Sequence, residues 1–217
     1  EVKYYVLQAA ANLLAAHDVH DFGSRRHSLV RDPAKDVRAN LDAEIGALVA
    51  AVEACVLEPN LLVPGLPGGK IADANADQIA VVGFVRRQAV RALAQVRFVA
   101  LPGPDGKAFI HPATTLARVC VSDPAFVPAP GPAECAEAAI GLANMAPVWN
   151  QNKVKEYNPA AAAEAVTAAV VTFASPRAND PLDKTVPWRG YALRLSEGLK
   201  NWRPLFDPGF DPRNPTK

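Results

Sequence analysis

Val85-Arg86-Arg87-Gln88-Ala89-Val90-Arg91-Ala92-Leu93 is the stretch from which the fold is read. Val85, Ala89 and Leu93, with Val82 and Val96 on either side, recur at three- and four-residue steps, the period of one face of an α-helix. Ala89 and Ala92 are small enough to let a second helix approach closely. Val85, Val90 and Leu93 then fill the space between helix layers, and the basic residues are expected to lie outward.

The same pattern returns elsewhere. Val2-Lys3-Tyr4-Tyr5-Val6-Leu7-Gln8-Ala9-Ala10-Ala11-Asn12-Leu13, set over Val85 to Val96, matches apolar or small positions almost throughout, at an offset of 83 residues. That offset reads as two periods of about 41, inside the ~40–47 residues of HEAT and armadillo units. Degraded versions occur at Ala133 to Leu142 and Trp188 to Leu199. Leu41 to Val56, Asp73 to Val82, Pro112 to Val121 and Pro159 to Ala174 supply candidate first helices of each pair.

The segment from Val85 to Leu93 resembles the second helix of a HEAT repeat, where V-R-x-x-A-x-x-A-L is common. The alanine-, proline- and arginine-rich composition is similar in style to large HEAT proteins of bacteria such as planctomycetes. The resemblance implies an all-α fold, an α-solenoid of antiparallel helix pairs coiled into a right-handed superhelix. The expected organisation is a helical repeat domain over residues 1–203 and an extended C-terminal tail over 204–217, with an irregular helical bundle as the alternative.

Composition agrees with helices. Half of the 217 residues are hydrophobic, only 7% are aromatic, and alanine makes up about a fifth, a balance that favours helices packed through small side chains. Twenty prolines and 13 glycines punctuate the chain in loops, above all at 18–38 and 58–72. Ala108 to Ile110 and Val127 are the strand candidates, too short to found a sheet. Gly83 is expected to split the helix around it, and Asp73 or Asp77 to begin it. Pro112 reads as a first-turn proline, and Pro147 as the end of the helix from Ala133.

Twenty-three Lys and Arg against 22 Asp and Glu leave a net charge of +1, which supplies no global field for nucleic acid or an anionic membrane. No apolar run reaches the ~20 residues of a membrane span, and a soluble, cytoplasmic setting is favoured. The chain opens at Glu1 without an initiator Met, which reads as an excised domain or a processed product. Cys55, Cys120 and Cys135 lack C-x-x-C spacing and read as small core residues. A Cys120–Cys135 disulfide is the alternative if their segments are antiparallel neighbours.

Catalytic signatures are missing. There is no G-x-S-x-G, and Gly68-Gly69-Lys70 is followed by Ile71 where a phosphate-binding loop carries Ser or Thr. His17, His20 and His27 with Asp18 and Asp21 offer ligand types for a divalent metal but fit no metal-site spacing. Glu134 with Glu137, and Asp180 with Asp183, read as helix caps or solvated faces. The sequence therefore points to no enzyme, no metal and no cofactor.

A noncatalytic protein-binding or scaffolding module is the reading that remains, because stacked helix pairs offer an extended surface in place of an enclosed pocket. Trp188, Tyr191, Trp202, Phe206 and Phe210 crowd the C-terminal third and, with Arg86, Arg87 and Arg91, are the candidate partner contacts, since Trp, Tyr and Arg are favoured at binding hot spots. The alternative is a nucleic-acid-binding protein, or an enzyme of DNA bases or phosphodiesters, using a basic concave face to which Arg25, Arg26, Arg31 and Arg97 would contribute. A third reading is assembly through the N-terminal helical face, which predicts exposed apolar surface there.

Overall fold

A two-way hydrogen bond starts the central helix. Asn75 Oδ1 accepts from the Gln78 backbone N–H at 2.9 Å, and Gln78 Oε1 accepts from the Asn75 N–H at 3.0 Å. Together they satisfy two of the donors that a helix N-terminus leaves unpaired. The cap is thus Asn75, not the flanking Asp73 or Asp77. The computed structural model describes residues 2–16, 35–63, 71–96, 101–102, 109–110, 112–152, 167 and 188–200.

Six named helices occur among these residues: α1 (Val2–Ala16), α2 (Lys35–Leu57), α3 (Ala76–Leu93), α4 (Pro112–Cys120), α5 (Pro132–Asn152) and α6 (Trp188–Lys200). Short 3-10 turns, Pro59–Leu61 and Ile71–Asp73, lie between α2 and α3. Strands β1 (Leu101–Pro102) and β2 (Phe109–Ile110) pair antiparallel, Leu101 opposite Ile110. This bridge takes up part of the Ala108 to Ile110 candidate, while Val127 lies in a bend before α5. The protein is all-α.

Two expected helix breaks are absent. Gly83 sits inside an unbroken α3, since flanking packing outweighs the ~1 kcal/mol that glycine costs a helix. Pro147 lies within α5, which runs on to Asn152. The upstream turns of α5 bury Ala136, Ala138, Ala139, Leu142 and Ala143, and that packing anchors the helix before the proline is reached. The start of α2 at Lys35 is also earlier than a cap at Asp36 or Asn40 would put it.

α4 ends in a hydrogen-bond pattern that explains one unusual residue. Asp123 N–H donates to the Arg118 carbonyl and Ser122 N–H to the Val119 carbonyl, both at 3.0 Å. This Schellman pairing needs a left-handed residue at its turn. Ser122, at φ 51°, takes that place.

α3 is the hub. It packs against α1, α2 and α5, and less extensively against α4; α5 packs against α4 and α6; α2 touches α4. One series of neighbours is therefore α1, α3, α5, α6, with α2 and α4 behind it. The core follows these contacts: Leu7 and Leu14 of α1, Val49, Val52 and Val56 of α2, Val82, Ala89, Val90 and Leu93 of α3, and Leu116 and Val119 of α4 are buried. Thr115 Oγ1 donates to Glu53 Oε1 at 2.5 Å between α4 and α2. α1 and α3, which the 83-residue offset reads as two periods apart, pack directly on each other; units of a stacked array touch only their neighbours, so the offset spans one step of the helix series, not two.

Gly141 shows how close the helices come. A Cβ built there would lie 2.7 Å from Ala94 Cβ and 2.8 Å from Ala94 Cα, so only glycine fits where α5 passes the end of α3.

Candidate functional site

The residues singled out from sequence fall in two places. Arg86, Arg87 and Arg91 project from α3 and Tyr191 from α6, around two glutamates of α5. Trp188 opens α6. Trp202, Phe206, Phe210 and the tail 204–217 lie outside the described residues, as do His17, His20, His27, Asp18, Asp21, Arg25, Arg26, Arg31, Arg97, the Gly68 to Lys70 loop, Asp180 and Asp183.

Arg86 corrects the expectation that the basic residues lie outward. Its side chain is 0% exposed. Its Nε donates to Glu134 Oε1 at 2.6 Å, Nη2 to Glu134 Oε2 at 3.3 Å and Nη1 to the Pro128 carbonyl at 2.8 Å. The guanidinium also lies 5.8 Å from the Phe126 ring centroid, a favourable cation–π placement. The planar fork of arginine makes such burial feasible, because two parallel bonds to one carboxylate compensate the lost hydration better than a point charge does.

Glu134 is at once a cap and an interior ion. Its Oε2 accepts from the Gly131 backbone N–H at 2.7 Å, the contact of an acidic third residue of a helix with its N-cap. The cap reading of Glu134 therefore describes one of its roles; the solvated-face reading fails for both glutamates, which are buried.

Glu137, one turn along α5, gathers the remaining cations. Arg91 Nε donates to Glu137 Oε1 at 2.6 Å, Arg87 Nη2 lies 3.9 Å from the same oxygen, and Arg194 Nη1 lies 3.6 Å from Oε2. Tyr191 is buried and donates its hydroxyl to Glu137 Oε1 at 2.9 Å, while Arg87 Nη2 donates to that hydroxyl at 2.5 Å. Partial burial works against the charge of Arg91, but its hydrogen bonds and attraction to Glu137 and Tyr191 prevail and lift its pKa above the ordinary arginine value. Sequence reasoning missed Arg194. It stands three residues beyond Tyr191, on the same side of α6, and that spacing was the available signal.

The second place is the outside of α1. Apolar residues of this helix divide between two faces. Leu7, Ala10 and Leu14 are buried, whereas Val2 is 76%, Tyr5 65%, Val6 61% and Leu13 54% exposed. Tyr4 stacks on Phe84 of α3 at 4.9 Å between centroids and meets Tyr5 edge to face at 5.6 Å. Phe84 and Val81 are themselves exposed, so the apolar surface continues from α1 onto α3. Lys3 Nζ donates to the Leu61 carbonyl, tying α1 to the 3-10 turn after α2.

The cysteines are thiols. Cys120 is pushed up to about 12 by burial, with the neighbouring Cys135 adding to the effect. Burial likewise raises Cys135, to about 11. Both are suited to the core and not to nucleophilic attack, which needs the thiolate. α4 and α5 are neighbours, as a Cys120–Cys135 bridge would need, but the bridge is not formed. Among the described residues no cluster of His, Cys, Asp and Glu is arranged to hold a metal, and no helix is long and apolar enough to cross a membrane.

No protein-family model matches this chain, and no curated protein or solved structure matches it. The class that the described residues define is an all-α protein with a buried arginine–glutamate network and an apolar outer face on its first helix.

Proposed function

We propose that this chain is a noncatalytic protein-binding module of the HEAT-repeat type, and that the outer face of α1 is its contact surface. The neighbour series α1, α3, α5, α6 backed by α2 and α4 supports a superhelix of paired helices, since the described helices pack chiefly against those beside and behind them. α1 stands at one end of that series. Its side away from α3 presents Val2, Tyr5, Val6 and Leu13. That exposed apolar face is the observation that carries the proposal, because a contiguous apolar patch on a soluble domain marks a contact site.

The occupant that fits is the apolar stripe of a helix from another protein chain, packed as α1 itself packs on α3. Nucleic acid is disfavoured by the near-neutral net charge of +1 and by the burial of Arg86 against Glu134.

The test compares the wild type with a Tyr5→Ser/Val6→Lys double variant. Proteins captured by the wild type are purified and rebound one at a time, and self-association is followed by sedimentation over a range of concentrations. A direct complex, with a partner or with a second copy, that the variant loses while its melting temperature stays within about 2 °C supports the reading. Equal behaviour of the two proteins sinks it.

A further inference from the structure

Charge around Glu137 does not balance. Three guanidinium groups, from Arg87 and Arg91 on α3 and Arg194 on α6, lie within 4 Å of a single carboxylate, which leaves two positive charges over. No other described carboxylate is paired with these three. Tyr191 contributes a hydroxyl bonded to Glu137. The three side chains are 32%, 38% and 49% exposed, so the surplus is open to solvent on one side and backed by the interior on the other.

Structural need does not explain the surplus. One arginine suffices to neutralise Glu137, and Arg91 already bonds it at 2.6 Å. Arg87 and Arg91 are four residues apart on one helix, a spacing at which like charges repel. Arg87 is held in this arrangement through its Nη2, which donates to the Tyr191 hydroxyl.

We propose that Arg87, Arg91 and Arg194 form a binding site for a phosphate monoester dianion, with Glu137 and Tyr191 as positioning residues that hold the guanidinium groups in place. The charge decides the ligand class. A phosphate monoester carries about −1.5 to −2 at neutral pH and matches the surplus of two; a carboxylate or a single phosphodiester carries one. Guanidinium forks also suit the paired oxygens of a phosphoryl group. A phosphate held there would join α3 to α6, whose principal described contact is with α5. The inference stands apart from the reading of α1, since the two surfaces share no residue.

The probes are inorganic phosphate, O-phosphoserine, acetate and a short oligothymidylate, each titrated calorimetrically into the whole chain at matched ionic strength. Phosphate and phosphoserine are expected to bind saturably and to raise the melting temperature, and acetate is not. Arg194→Gln is the first variant, because Arg194 is half exposed. It should weaken phosphate binding about tenfold, the effect of losing one charge-assisted hydrogen bond, while its melting temperature in chloride stays within about 2 °C of wild type. Arg91→Gln should weaken binding at least as much. The Tyr5→Ser/Val6→Lys variant should bind phosphate like the wild type, so failure of either proposal leaves the other standing. Equal responses to acetate and phosphate, an unchanged isotherm in both arginine variants, or binding of the oligonucleotide alone would each overturn the assignment.

Discussion

Removing the carboxylate of Glu134 isolates a charge in the middle of the protein. Arg86 is 0% exposed and makes two of its three hydrogen bonds to that carboxylate. In Glu134→Ala the guanidinium keeps the Pro128 carbonyl and the face of Phe126, neither of which carries a compensating charge. Breaking a buried pair in this way costs about 3–5 kcal/mol, against ~5–15 kcal/mol of total stability for an ordinary domain. For a chain of this length that is a fall in melting temperature of roughly 6–20 °C. Arg86→Ala should cost a similar amount by stranding Glu134, softened by the Gly131 N–H that remains on Oε2. The decisive variant is the double Arg86→Met/Glu134→Leu. Replacing both ions with apolar side chains of similar size removes the stranded charge, so the double should be more stable than either alanine single. Urea unfolding followed by far-UV circular dichroism and extrapolated to water measures all three. If Glu134→Ala costs under about 1 kcal/mol, as exposed pairs do, or if the double costs the sum of the singles, the interior pairing described here is wrong.

Three further outcomes follow from particular contacts. Gly141→Ala should lose about 1–3 kcal/mol by overpacking, since the new Cβ meets the backbone of Ala94 at 2.8 Å; a neutral result in thermal unfolding would mean that α5 is not so close to α3. Gly83→Ala, which meets nothing within 4 Å inside α3, should gain about 0.4–1 kcal/mol in the same assay. Cys120 predicts an alkaline weakness. Its folded pKa of about 12 lies above the ordinary thiol value of 9.0, so its contribution is complete below pH 9. As pH rises further the unfolded chain loses the proton first, and stability falls until the folded pKa is reached. Cys120→Ala should flatten that fall in urea midpoints measured above pH 9, and an unchanged slope would refute the assignment.

Local signals account for the helices that were legible in advance. α1 over Val2–Ala16 and α4 from Pro112 to Cys120 follow from apolar spacing and, in α4, a proline where a helix leaves its N–H unpaired anyway. The all-α class follows from the same periodicity together with the scarcity of β-branched alternation. α5 ran past Pro147 because a proline's cost is local, whereas the burial of Ala136 to Ala143 that offsets it involves α3 and α4. The width of the apolar pattern on α1 was visible as well. Which of its two faces would be covered depended on α3, which begins sixty residues later.

The candidate site shows the same division more sharply. The chain's own residues determined where arginines recur on α3 and where two glutamates stand a turn apart on α5. They did not determine that Arg86 is interior and Arg87 about one-third exposed, because two adjacent arginines have the same chemistry and differ only in what lies opposite them. The partner of Arg86 is 48 residues away in sequence and that of Tyr191 is 54 residues away. Whether a charge is solvated or buried is settled by the dielectric and the counter-charges around it, and those are assembled only when α3, α5 and α6 pack together.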